Sequence, residues 1–70
     1  MRFKVGDLLR YTANTGRNSF CIISEAYRKI PTSNLLYYRV HWIDDYGKHF
    51  YDGHDYLASY FNTDSWSKLS

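Results

Sequence analysis

Cys21 is the single cysteine of this 70-residue sequence, so no internal disulfide can hold the fold together. A cysteine-rich zinc site is excluded on the same ground. A chain of this length makes one domain, residues 1–70, and buries only about 60% of the surface that it exposes when unfolded. Its stability has to come from heavy side-chain packing. The sequence carries the material for that: eight Tyr, four Phe and two Trp make 20% of the residues aromatic. Each such ring buries roughly 150–250 Å².

Turn residues cut the chain into short segments of the spacing expected of a small β sandwich or barrel. Val5-Gly6-Asp7 leads into Leu8–Thr12, and Ala13 to Asn18 reads as a loop. Ser19–Arg28, with Phe20, Cys21, Ile22 and Ile23, reads as a strand that Pro31-Thr32-Ser33-Asn34 breaks. Leu35–Ile43 is the clearest strand. Along it Tyr38, Val40 and Trp42 face one way, and Arg39 and His41 the other. Asp44-Asp45-Tyr46-Gly47 is a hairpin turn in which Gly47 supplies positive φ. Lys48–Asp52 returns as a short strand. Asp55 then caps a short helical turn through Tyr60, and Ser65–Leu69 closes as an edge strand. The expected fold is mainly β, a five-stranded antiparallel barrel that leaves no open edge. Leu8, Ile22, Val40, Trp42, Phe50 and Leu57 are its expected core.

Two patches resemble the SH3-like small-barrel superfamily. Lys4-Val5-Gly6-Asp7-Leu8-Leu9 is similar to the Val-Gly-Asp lead-in of Tudor, KOW and related barrels. Val40-His41-Trp42-Ile43-Asp44-Asp45-Tyr46-Gly47-Lys48 is similar to the aromatic-x-Asp-Tyr-Gly hairpin of Tudor domains. The arrangement also resembles that of small uncharacterised bacteriophage proteins. The hairpin departs from the Tudor pattern by one extra Asp and by Lys48 in place of the Asn that helps hold methylated arginine. The resemblance therefore implies the barrel and the hairpin, and not the methylarginine ligand.

Little in the sequence speaks for catalysis. A catalytic group needs a water-excluding pocket and an orienting partner, and a barrel filled by its own side chains offers neither. Cys21 sits in an apolar run with no basic neighbour to lower its pKa, so it reads as a core residue. His41, His49 and His54 lie near Asp52 and Asp55, but at no recognised metal-ligand spacing, so they read as solvated loop groups. No cofactor is implied. No stretch approaches the ~20 apolar residues of a membrane span, and Met1–Asp7 lacks the apolar run of a secretory signal. A cytoplasmic setting is expected, which for a viral protein is the host cytoplasm or the virion.

Fourteen aromatic rings exceed what one small barrel can hide, so several must face solvent, where Tyr, Trp and Arg mark binding surfaces. The expected surface is Tyr37, Arg39, His41, Asp44, Asp45, Tyr46, Lys48 and Tyr51, with the two aspartates selecting a basic partner. The leading expectation is a non-catalytic protein-binding module of the small viral accessory or virion-associated kind. A nucleic-acid binder using the Arg39 face is the first alternative, although the formal net charge is only +2 and Asp44, Asp45, Asp52 and Asp55 would repel phosphate. The second is a structural subunit of a symmetric assembly, with the aromatics buried between copies.

Overall fold

A computed structural model describes residues 2–69; Met1 and Ser70, the ends of the expected domain, lie outside the described residues. In chain order the elements are β1 (Leu8–Thr12), β2 (Asn18–Tyr27), β3 (Tyr37–Ile43), β4 (His49–Phe50), β5 (Asp55–Leu57), a 3₁₀ turn (Ala58–Phe61) and β6 (Trp66–Lys68). Two connections of the same design set much of the register. In Ala13–Arg17 the Gly16 N–H donates to Ala13 O, and in Asp44–Lys48 the Gly47 N–H donates to Asp44 O. Both glycines have positive φ, 85° and 80°, where a side chain would be strained. The flanking residues then pair directly, Ala13 N–H to Arg17 O and Asp44 N–H to Lys48 O.

The chain is mainly β, and its pairings are all antiparallel, in the order β4-β3-β2-β1-β6 with β5 also on β3. β2 carries a bulge at Ser24, between the Ile23↔Val40 and Glu25↔Arg39 pairs, which sharpens the bend of this long strand. Two details differ from expectation. There are six strands rather than five, because Asp55–Leu57 pairs with β3 instead of entering a helical turn; the 3₁₀ turn begins only at Ala58 and has no side-chain cap. The sheet is also not closed into a barrel. Among the described residues β6 pairs with β1 alone and β5 with β3 alone, each over three residues. Side chains of the 3₁₀ turn fill that side, and Arg2 donates to Thr63 O and Trp66 O beside the β6 edge.

The core consists of Phe3, Leu9, Cys21, Ile23, Tyr38, Val40, Ala58, Phe61 and Trp66. Val40 is buried as expected, and Trp42 packs against this cluster partly covered. Leu8 and Ile22 are corrected to the outer face, their neighbours Leu9, Cys21 and Ile23 taking the inner one. In Leu8-Leu9 and Phe20-Cys21-Ile22-Ile23 both faces are apolar, so hydrophobicity does not choose the parity. Phe50, 49% exposed, and Leu57, 37% exposed, are also corrected, because β4 is a short edge and the inward positions near β5 go to Tyr56, Ala58 and Phe61. Trp66 stands edge-on to Phe61 with centroids 4.6 Å apart, and Tyr38 tilts on Phe61 at 5.7 Å. The Tyr38 hydroxyl donates to Phe3 O at 2.5 Å, so the buried ring leaves no orphan polar atom and ties down the N-terminal segment.

The Val5-Gly6-Asp7 lead-in closes on Asp7, 4% exposed. Its carboxylate accepts the Lys4 N–H at 2.9 Å and pairs with Lys68 Nζ at 3.5 Å. Removing Phe61, which touches most of the inner rings, is expected to cost about 3–5 kcal/mol. That rivals the whole stability a core of this size supplies. Phe61→Ala should therefore lose its near-ultraviolet circular dichroism and its cooperative urea transition; a transition shifted by less than about 1 kcal/mol would show that the core lies elsewhere.

Candidate functional site

The expected surface residues divide into two groups on different parts of the molecule. Tyr37, Arg39 and His41 project from the outer face of β3, and Tyr51 lies against them. The His41 and Tyr51 rings stack at 6.2 Å, and the Arg39 guanidinium sits 4.8 Å from the Tyr51 centroid. Tyr37 stacks on Tyr27 at 6.1 Å, and Lys29 Nζ lies 4.5 Å from the Tyr37 centroid.

This strip is occupied by its own contacts. Asp55, on β5, accepts from Arg39 Nε at 3.2 Å and Nη2 at 3.3 Å, from the Tyr51 hydroxyl at 3.0 Å and from the Tyr27 hydroxyl. Glu25 adds a second ion pair to Arg39 at 3.3 Å. The Arg39 guanidinium holds the Asp55 carboxyl down at about 2, against the partial burial that opposes it. In return the Tyr27 hydroxyl is pushed up, first by its hydrogen bond to Asp55. The strip clamps β5 onto β2 and β3, and its Arg39 is already neutralised.

Asp44, Asp45, Tyr46 and Lys48 form the other group, on the β3–β4 connection. Asp44 Oδ1 accepts the N–H groups of Tyr46 and Lys48, both at 2.9 Å, so this carboxylate shapes the turn. Asp45 has no ion pair among the described residues. Tyr46 is 91% exposed, the freest aromatic ring of the described chain.

Beside this turn lies an open groove of about 500 Å³ that sequence reasoning did not anticipate. Phe20, Trp42, Ile43 and Phe50 form its apolar part; Asp44 and Asp45 border it on one side, and Arg17, Asn18 and Ser19 on the other. Register explains the assembly: Phe20 pairs with Ile43 and Trp42 with Phe50, which sets the ends of the β1–β2 and β3–β4 hairpins side by side. In a meander these two turns must lie at the same end, and that parity is the signal that could have revealed the groove. Asp52 accepts from Trp42 Nε1 at 3.0 Å and from the Tyr56 hydroxyl at 2.6 Å, which fixes the indole. Partial burial works against the Asp52 charge, but the hydrogen bonds from Tyr56, the His54 N–H and Trp42 outweigh it and hold its pKa below the ordinary value. The Tyr56 hydroxyl is pushed up to about 12, first by burial and then by Asp52.

Burial pushes the Cys21 thiol up to about 12, so it carries no thiolate near neutral pH. Among the described residues, no group of three or more His, Cys, Asp and Glu side chains is placed to share a metal ion, and no helix is long and apolar enough to cross a membrane. No protein-family model, curated protein or solved structure matches the chain.

Arg39→Ala is expected to destabilise the domain, because a well-covered carboxylate loses its cation. Tyr46→Ala should stay within about 0.5 kcal/mol of the parent. Asp55 binds its proton less readily folded than unfolded. Its contribution is therefore complete above the unfolded carboxylate pKa of about 4 and is lost as pH falls toward 2. Urea titrations at neutral pH and near pH 2 should show the gap between parent and Arg39→Ala narrowing in acid. A constant gap would remove Asp55 as its cause.

Proposed function

We propose that this chain is a non-catalytic protein-interaction module of SH3-like type, and that it takes a basic, partly apolar segment of another protein into the groove between its two hairpin ends. The observation that carries the reading is an apolar groove with Asp44 and the unpaired Asp45 along one border, opposite Arg17, beside the exposed Tyr46. Apolar anchors supply affinity where they leave water, and the border charge selects sign and speeds encounter. A lysine or arginine next to an aliphatic or aromatic side chain meets both demands. The aromatic ring of Tyr46 can cover such a segment from outside at little conformational cost, having few rotatable bonds to order.

The strip around Arg39 supports protein over nucleic acid as the partner. Phosphate recognition needs free cations, whereas Arg39 is bound to Asp55 and Glu25. Asp44 and Asp45 would oppose a phosphate backbone at the groove.

Selection from a random peptide library against the folded domain should enrich sequences with a Lys or Arg beside an apolar residue. Binding of a selected peptide, followed by calorimetry, should drop at least about tenfold in Asp45→Lys and weaken in Tyr46→Ala, with both variants melting like the parent. Enriched peptides without cations, or binding indifferent to Asp45→Lys, would refute the assignment. Retention of nucleic acid that fades steeply with salt would replace it with the nucleic-acid reading.

A further inference from the structure

The groove lies at one end of β3, where the strand finishes at Ile43; the connection between β2 and β3 lies at the other, before Tyr37. That opposite connection has the complementary character. Arg28 and Lys29 are exposed, and Ile30, 60% exposed, is the most open aliphatic side chain among the described residues. Ile30 is held out by a turn in which the Ser33 N–H donates to Ile30 O at 3.0 Å, with Pro31 in between presetting the backbone. The Leu35 N–H donates to Ser33 Oγ at 3.1 Å, which stiffens the same loop. Arg28 has no ion pair among the described residues.

We infer that the groove is filled by the Arg28-Lys29-Ile30-Pro31 turn of a second copy of this chain. The inference rests on the groove reading above and names its occupant. Charge complementarity is the ground for it: the groove carries two aspartates, Asp44 and Asp45, against one cation, Arg17, beside its apolar surface, and the turn offers two cations next to an exposed isoleucine. A rigid turn loses little freedom on docking, which favours it over a flexible segment of equal composition. The length of β3, about 20 Å at ~3.3 Å per residue, separates the two features, so a copy cannot fill its own groove. Each copy then gives its turn to one neighbour and takes a turn from another. Such a head-to-tail contact is heterologous and repeats, giving a ring where the rotation closes and a filament where it does not. One turn in one groove makes a small interface, so association is concentration-dependent and reversible.

Sedimentation of the intact chain tests this. The parent's average mass should rise with concentration and fall back as salt goes from ~0.05 to ~0.5 M, since the border charges are screened. Asp45→Lys spoils the groove and Ile30→Asp spoils the turn, so each alone should stay at the mass of one chain. Mixed, they should form a dimer and nothing larger, because one variant still donates a turn and the other still accepts it. A parent that remains a single chain at every concentration overturns the inference, as does either variant associating alone or a mixture that stays monomeric. Failure of the groove reading itself is distinguished by the selected basic peptide. If that peptide binds in an Asp45-dependent way while the parent is monomeric, the groove stands and its occupant is another protein.

Discussion

The edge-to-face contact between Trp66 and Phe61 holds together elements that no ladder joins. Among the described residues β6 pairs only with β1, and β5 only with β3, so the sheet by itself would leave its concave side open. Trp66 comes from β6 and Phe61 from the 3₁₀ turn, and around them Tyr11, Tyr38, Trp42, Tyr56 and Tyr60 pack within ring-contact distance. Aromatic area thus does the work that closure of the ladder does in a barrel, and that a disulfide does in many chains of this size. It also accounts for so high an aromatic content in so short a sequence.

Carboxylates form the second tier of the structure, each with a different task. Asp7 closes the turn before β1, Asp44 shapes the β3–β4 turn, Asp52 fixes the Trp42 indole and Asp55 clamps β5 through Arg39. All of these are satisfied by hydrogen bonds, as partly buried charges must be. Asp45 is the exception on the groove border, a carboxylate without an ion pair among the described residues. A surface charge that the fold does not use is available for a partner. The Arg39 strip shows the converse: residues with the composition of a binding surface are spent on holding the molecule together.

The two turns of the groove and the turn carrying Ile30 stand at opposite ends because an antiparallel meander alternates its connections. The same topology puts Asp44 and Asp45 at one end of the sheet and Arg28 and Lys29 at the other.

Much of the fold was legible in the sequence. Gly47 with the preceding aspartates marks a turn from local chemistry alone, since glycine takes positive φ without strain and an aspartate accepts from the backbone N–H groups that follow it. The alternation of Tyr38, Val40 and Trp42 with Arg39 and His41 assigns the two faces of β3 without reference to anything else. The single cysteine imposed a packed core. What only the tertiary structure decided is where local signals were balanced or absent. Leu8-Leu9 and Ile22-Ile23 are apolar on both parities, so the bulge at Ser24 and the pairing with β3 chose which of each faces inward. Asp55 could cap a helix or accept a guanidinium, and Arg39 across the sheet determined which. The groove exists only between neighbouring hairpin ends: Phe20 and Phe50 are far apart in the chain, and a contact of that separation is fixed by strand order and register, which no short stretch of sequence encodes.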